Sequence, residues 1–128
     1  MSHSFVWVDI PVVDLPRALA FYSGIFGRQV TLEGGPGFQF GLLPHANDDV
    51  AGCIYVADAE NAPSRTGPLI YLNVEGRMDE AVQAAARLGG QVLKSPHPIG
   101  PHGWRAIVLD SEGNRVALHA PPGAARPA

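Results

Sequence analysis

The sequence is short of charge, and shorter still of basic charge. Twelve Asp and Glu face nine Lys and Arg among 128 residues, a net charge of -3. A surface that tracks phosphates needs a basic stripe, so no nucleic-acid partner is expected. No like-charge run suggests an interaction tail. One cysteine, Cys53, cannot form an internal disulfide and leaves no cysteine pair for a zinc site. No apolar run is long enough to span a bilayer, so no membrane partner is expected. The opening residues meet Asp9 too early, and lack the basic flank, for a signal peptide. The expected location is the cytoplasm. What remains is a globular composition, 46% hydrophobic and 16% charged, in a chain the size of one domain.

The chain then repeats itself. Phe5–Val12 alternates, with Val6, Val8, Ile10 and Val12 on a purely apolar face and Phe5, Trp7, Asp9 and Pro11 on a mixed one. Asp14 can cap a helix over 15–26, with Leu15, Leu19, Tyr22 and Phe26 on one side, Pro16 in the first turn and Gly27 at the end. Pro68–Val74 is a second alternating strand, with Ile70, Leu72 and Val74 on its apolar face. Met78, Val82, Ala85 and Leu88 mark a second helix over 78–88, closed by Gly89 and Gly90. Val12 and Val74 stand 62 positions apart, as do Phe26-Gly-Arg-Gln-Val and Leu88-Gly-Gly-Gln-Val. Matched strand, helix and stop at one offset point to duplication.

The remaining strands are expected at 28–33, 38–43 and 50–57, then at 91–94, 104–109 and 115–120, with Asp110–Asn114 as a hairpin turn. Module one spans about 5–57, a linker 58–67, and module two about 68–120. Residues 95–103 read as a loop and 121–128 as a frayed tail, within a single domain covering 1–128.

Asp14-Leu-x-Arg-Ala-x-x-Phe-Tyr22 followed by Phe26-Gly27, with Asp110-Ser-Glu-Gly-Asn-Arg-Val116, resembles the vicinal oxygen chelate superfamily of glyoxalases, bleomycin-resistance proteins and extradiol dioxygenases. The resemblance covers about residues 5–120. It implies an α+β fold: two tandem β-α-β-β-β modules forming a cup-shaped mixed sheet, helices outside. It also implies a homodimer and a small-molecule ligand or substrate. In that family a divalent metal is held by His, Glu or Gln from the first and last strands of each module. Carried over, the first-strand position falls on Trp7 and its duplicate on Leu69. The last-strand position falls on Ala117, with its counterpart near Tyr55. An indole and methyl groups offer no lone pair and a neutral phenol is a poor ligand, so neither metal nor cofactor is expected there.

The mixed strand faces should look into the cup. They supply Trp7, Tyr55, Tyr71 and Asn73 as candidate ligand-binding residues, joined by His102 and Trp104 at the Pro/Gly-rich loop. Trp7 and Tyr71 suit core filling more readily than ligand stacking, and Cys53 suits a small buried hydrophobe. Asp9 is either a pocket carboxylate or the strand's solvated end. His119 is either an ordinary histidine or, with Asp9, one half of a proton-transfer pair. Two functions stay open. One is a metal-free binding protein that stacks planar ligands on the aromatic residues. The other is a lyase, isomerase or epimerase using Asp9 and His119 or a displaced metal. A degenerate domain kept for protein interaction is a third.

Overall fold

Asp14 starts the first helix as its type predicts: its carboxylate accepts from the Arg17 amide at 3.0 Å, and the helix runs Leu15–Phe26 (α1). Gly27 ends it at φ 67°, and a Cβ there would also meet the Arg77 guanidinium at 2.5 Å. Around α1 stand β1 (Trp7–Val12), β2 (Thr31–Gly35), β3 (Phe38–Leu42) and β4 (Ala51–Val56). The second module repeats the order with β5 (Ile70–Asn73), α2 (Met78–Arg87), β6 (Gln91–Pro98), β7 (Trp104–Leu109) and β8 (Arg115–Ala120). These bounds come from a computed structural model that describes residues 4–47 and 49–128. None of its helices is long and apolar enough to cross a membrane.

The strands form two four-stranded sheets of one topology, β1-β4-β3-β2 and β5-β8-β7-β6. In each, the first strand lies parallel to the last, with Ile10 opposite Ile54 and Leu72 opposite Leu118. The α+β fold of two β-α-β-β-β modules is therefore present, its eight strands divided between two sheets rather than merged into one. Ile10, Val12, Leu72 and Val74, predicted to face helices, are buried in one core shared by both modules with Phe21, Tyr22 and Ile25 of α1 and Ala81, Ala84 and Ala85 of α2. Gly24 lets α1 approach α2, where Leu88 would crowd any Cβ.

Three expectations need correction. Val6 is 74% exposed and precedes β1, because the β4 ladder begins at Ala51 opposite Trp7 and nothing pairs beyond it. The second module's first strand starts at Ile70, leaving Leu69 outside it. The supposed loop after Lys94 is strand as far as Pro98. Strand β6 is an edge, where a proline's missing donor costs no ladder bond, and two register shifts accommodate it; a 3₁₀ turn at Gly100–His102 follows. Residues 121–128 form no helix or strand, yet Ala124 packs on the core and the Ala128 amide reaches Asp79.

The Asp110–Asn114 turn locks the modules together. Asp110, 2% exposed, accepts from the amides of Glu112 and Asn114 and from the Tyr22 hydroxyl. Asn114 donates to the Pro11 carbonyl at 2.8 Å. Glu112 accepts from the Val13 and Asp14 amides just ahead of α1 and pairs with Arg17 at 2.8 Å. At the other end Arg77 donates to the Gly24 and Ile25 carbonyls. A carboxylate at the N-terminus and a guanidinium at the C-terminus both complement the helix dipole.

Candidate functional site

Strand alternation puts Trp7, Asp9 and Pro11 on the side of the first sheet away from the core, beside Ala51, Cys53 and Tyr55 of β4 and Phe40 and Leu42 of β3. The Trp7 indole donates to Asp9 Oδ1 at 2.7 Å, and the Cys53 thiol donates to the same oxygen at 3.3 Å. Burial, then the Asp9 carboxylate, push that thiol up to about 11, so it stays protonated near neutrality. Phe38 and Phe40 pack with ring centres 5.5 Å apart, and the Tyr55 hydroxyl accepts from Asn61. Trp7 is 44% exposed and Phe38 64%, which makes this face an open aromatic wall.

The second sheet's outward face is built differently. It carries Tyr71 and Asn73 on β5, Ala117 and His119 on β8, Arg105 on β7 and His97 on β6. Arg105 reaches across β8 to the Tyr71 hydroxyl at 2.7 Å, while its Nε donates to His97 Nε2 at 3.2 Å. His119 holds the His102 backbone carbonyl through Nε2 at 2.8 Å, its ring 6.0 Å from that of Tyr71. Asn73 accepts from the Glu75 amide, a turn contact.

Charge is segregated between the two sheets. Strands β1–β4 contain Asp9 and Glu33 and no Lys, Arg or His. Strands β5–β8 contain Lys94, Arg105, Arg115, His97 and His119 and no carboxylate.

Of the residues singled out in the sequence, Trp7, Asp9 and Tyr55 share the first face, and Tyr71, Asn73 and His119 the second. Asp9 and His119 are not brought together: β1 and β8 belong to different sheets, and each residue has other partners. Trp104 packs against the core, with Arg126 5.9 Å from its ring centre. His102 is exposed on the 3₁₀ turn and contributes its carbonyl, not its ring. Arg105, Phe38 and Phe40 were missed. Alternation along Trp104–Leu109 would have put Arg105 on the same face as Ile107 and Leu109. A separate groove of about 500 Å³ lies between the modules, lined by Val8, Ile10, Leu43, His45, Ile70 and Asn73 among others. It shares only Tyr71 and Asn73 with the predicted site.

The residues at the family's metal positions do not fit a metal. Trp7 uses its indole N–H on Asp9 and has no lone pair to give; Leu69 and Ala117 are hydrocarbon. The register moves Ala117's counterpart from Tyr55 to Cys53, since Asp9 and Tyr71, 62 positions apart, lie opposite Cys53 and Ala117. Cys53 gives its S–H to Asp9, and no cluster of three His, Cys, Asp or Glu suited to a metal occurs among the described residues.

This fold and paired-module site define a class, and comparison with known proteins agrees. The sequence profile of the Glyoxalase/Bleomycin resistance protein/Dioxygenase superfamily matches residues 4–118, so the chain belongs to that superfamily. A glyoxylase-like domain-containing protein from Didymella fabae is 28% identical over 120 residues, covering 91% of this chain and 92% of its own. A glyoxalase/bleomycin resistance protein from Albidiferax ferrireducens T118 superposes with TM-score 0.72 at 16% identity, over 94% of this chain and 100% of that one. A fosfomycin resistance protein from Listeria monocytogenes, solved with Mn(II) and a dihydroxypropylphosphonic acid, gives TM-score 0.65 at 22% identity, over 93% and 90% of the two chains.

Proposed function

We propose that this chain is a metal-free small-molecule-binding member of the superfamily, acting in the cytoplasm, with a planar ligand seated against the outward sheet faces. The observation that carries the reading is the aromatic wall: Trp7, Phe38 and Tyr71 stay 44–64% exposed on faces that the chain itself leaves uncovered. Large exposed aromatics with a few polar tips are the usual lining of a ligand site. We further take the working form to be a homodimer, the acidic first sheet of one copy opposing the basic second sheet of the other. Such a pairing would bring Trp7 and Asp9 of one copy to face Tyr71 and His119 of the second. Catalysis by an Asp9–His119 pair as a lyase, isomerase or epimerase gains no support within one chain.

The test is a titration of tag-free protein with neutral benzamide and 2-naphthol, following the Trp7 indole N–H by NMR. Saturable shifts are expected there and at the Phe38 ring protons, those of Phe38 being lost in Trp7→Ala, and their absence with both probes would sink the reading. Added Mn(II), Zn(II) or Ni(II) should leave the melting temperature unchanged. A rise saturating at one metal per chain would instead favour the enzyme with a displaced metal site.

A further inference from the structure

The guanidinium of Arg105 is held in place without being neutralised. Its Nε–H goes to His97 Nε2 and one Nη1–H to the Tyr71 oxygen. The imidazole accepts that bond because its other nitrogen, Nδ1, lies 2.8 Å from the Ser95 carbonyl and must carry the ring proton. The phenol, accepting from Arg105, keeps its own O–H free to donate. Three guanidinium N–H groups and one phenolic O–H are thus left over, all donors. No carboxylate pairs with Arg105 among the described residues, and none occurs anywhere on β5–β8. Holding a long side chain at two points removes the conformational freedom that a ligand would otherwise have to freeze.

We infer that Arg105, steered by His97 and Tyr71, is an oxyanion-recognition site on the outward face of the second sheet, taking the carboxylate end of a small planar ligand. A guanidinium edge and a carboxylate match as parallel N–H···O bonds, a pairing stronger than neutral hydrogen bonds and selective for planar anions. The Tyr71 ring, 45% exposed and edge-on to His119, supplies the surface for the flat part of the ligand. This inference rests on the small-molecule reading above and narrows it to an anionic ligand class. The same donors would be consumed by Asp9 of a second copy if the dimer itself neutralised them, in which case wild-type protein would bind benzoate no tighter than benzamide.

The full chain is titrated with benzoate, which has ring and charge, benzamide, which has the ring alone, and acetate, which has the charge alone. Binding is read from the Arg105 Nε–H resonance and the Tyr71 ring protons. Benzoate should bind at least about tenfold tighter than either control, the factor that one charge-assisted bidentate pair supplies. Arg105→Met should bring benzoate to within about twofold of benzamide, and Tyr71→Phe should weaken benzoate about threefold while sparing benzamide. An unchanged circular dichroism spectrum checks the fold of both variants, and Tyr71→Phe, which loses one oxygen, keeps the test alive if Arg105→Met does not fold. Benzamide binding as tightly as benzoate to the wild type would overturn the oxyanion site and leave the small-molecule reading standing. So would undiminished benzoate binding to folded Arg105→Met. Saturable binding by none of the three would overturn both.

Discussion

Tyr22 in the first helix donates its hydroxyl hydrogen to Asp110, 88 residues away in the last hairpin, and both side chains are buried. Burial, reinforced by the Asp110 charge, raises the phenol well above its ordinary range. Tyr22→Phe removes a bond to a buried carboxylate and should cost about 1–3 kcal/mol in a urea melt. Tyr22 should therefore ionise in alkali only when the protein unfolds. A Tyr22 phenolate appearing while the circular dichroism is native would contradict the burial.

Glu112 makes stability depend on pH. Burial opposes its charge, but the Arg17 guanidinium, the Asp14 and Val13 amides and the Ser111 hydroxyl prevail and hold the carboxyl at about 2, against an ordinary 4.5. A depressed carboxyl stabilises the fold at pH values above its unfolded pKa, and that contribution fades as pH falls from about 4.5 toward 2. The loss should be on the order of 2 kcal/mol, since Arg17 is half exposed and solvent screens part of the pairing. Glu112→Gln should be less stable than wild type at neutral pH and should converge on it in acid. Parallel curves across that window would remove Glu112 as the cause.

Cys53 should be a slow thiol. With burial and Asp9 together holding it near 11, little thiolate exists at neutral pH. Asp9→Asn removes the charge but not the burial. Its reaction with a disulfide reagent should therefore quicken severalfold while the thiol stays slower than a free cysteine. Equal rates in the two proteins would show that the Asp9 contact does not govern the thiol.

Much of this architecture was legible before any coordinates. The apolar alternation at Ile10, Val12, Leu72 and Val74 and the Asp14-to-Gly27 frame of α1 carry their own physical signals, and each lies where those signals put it. Val6 looks like a strand residue, but its neighbour β4 starts only at Ala51, and partner length is not encoded locally. Leu69 also looks like one, but Arg115, the residue that would stand opposite it, gives its amide to the Ser64 carbonyl instead. Prolines at 96 and 98 read as a loop because only the sheet order reveals that β6 is an edge. The candidate site was harder. Alternation sets Trp7, Tyr55, Tyr71 and His119 on the strand faces turned from the core, but it is blind to which faces meet, and Asp9 and His119 stand in two sheets. Arg105 carries no local signal that tells a held guanidinium from a solvated one, and its aromatic neighbour Trp104 turns inward.

The two clamps on α1 impose an order on the chain's biosynthesis. A ribosome delivers Arg17 first, Arg77 sixty residues later, and Glu112 only 95 residues after Arg17. Until then the front of the helix lacks the acceptor for its leading amides, and Tyr22 has no carboxylate to meet. The emerging first half is thus an apolar surface awaiting its closing piece, the state in which nascent chains are most exposed to aggregation and most dependent on chaperones. The last hairpin supplies what α1 waits for, the Glu112 carboxylate for its leading amides and Asp110 for Tyr22.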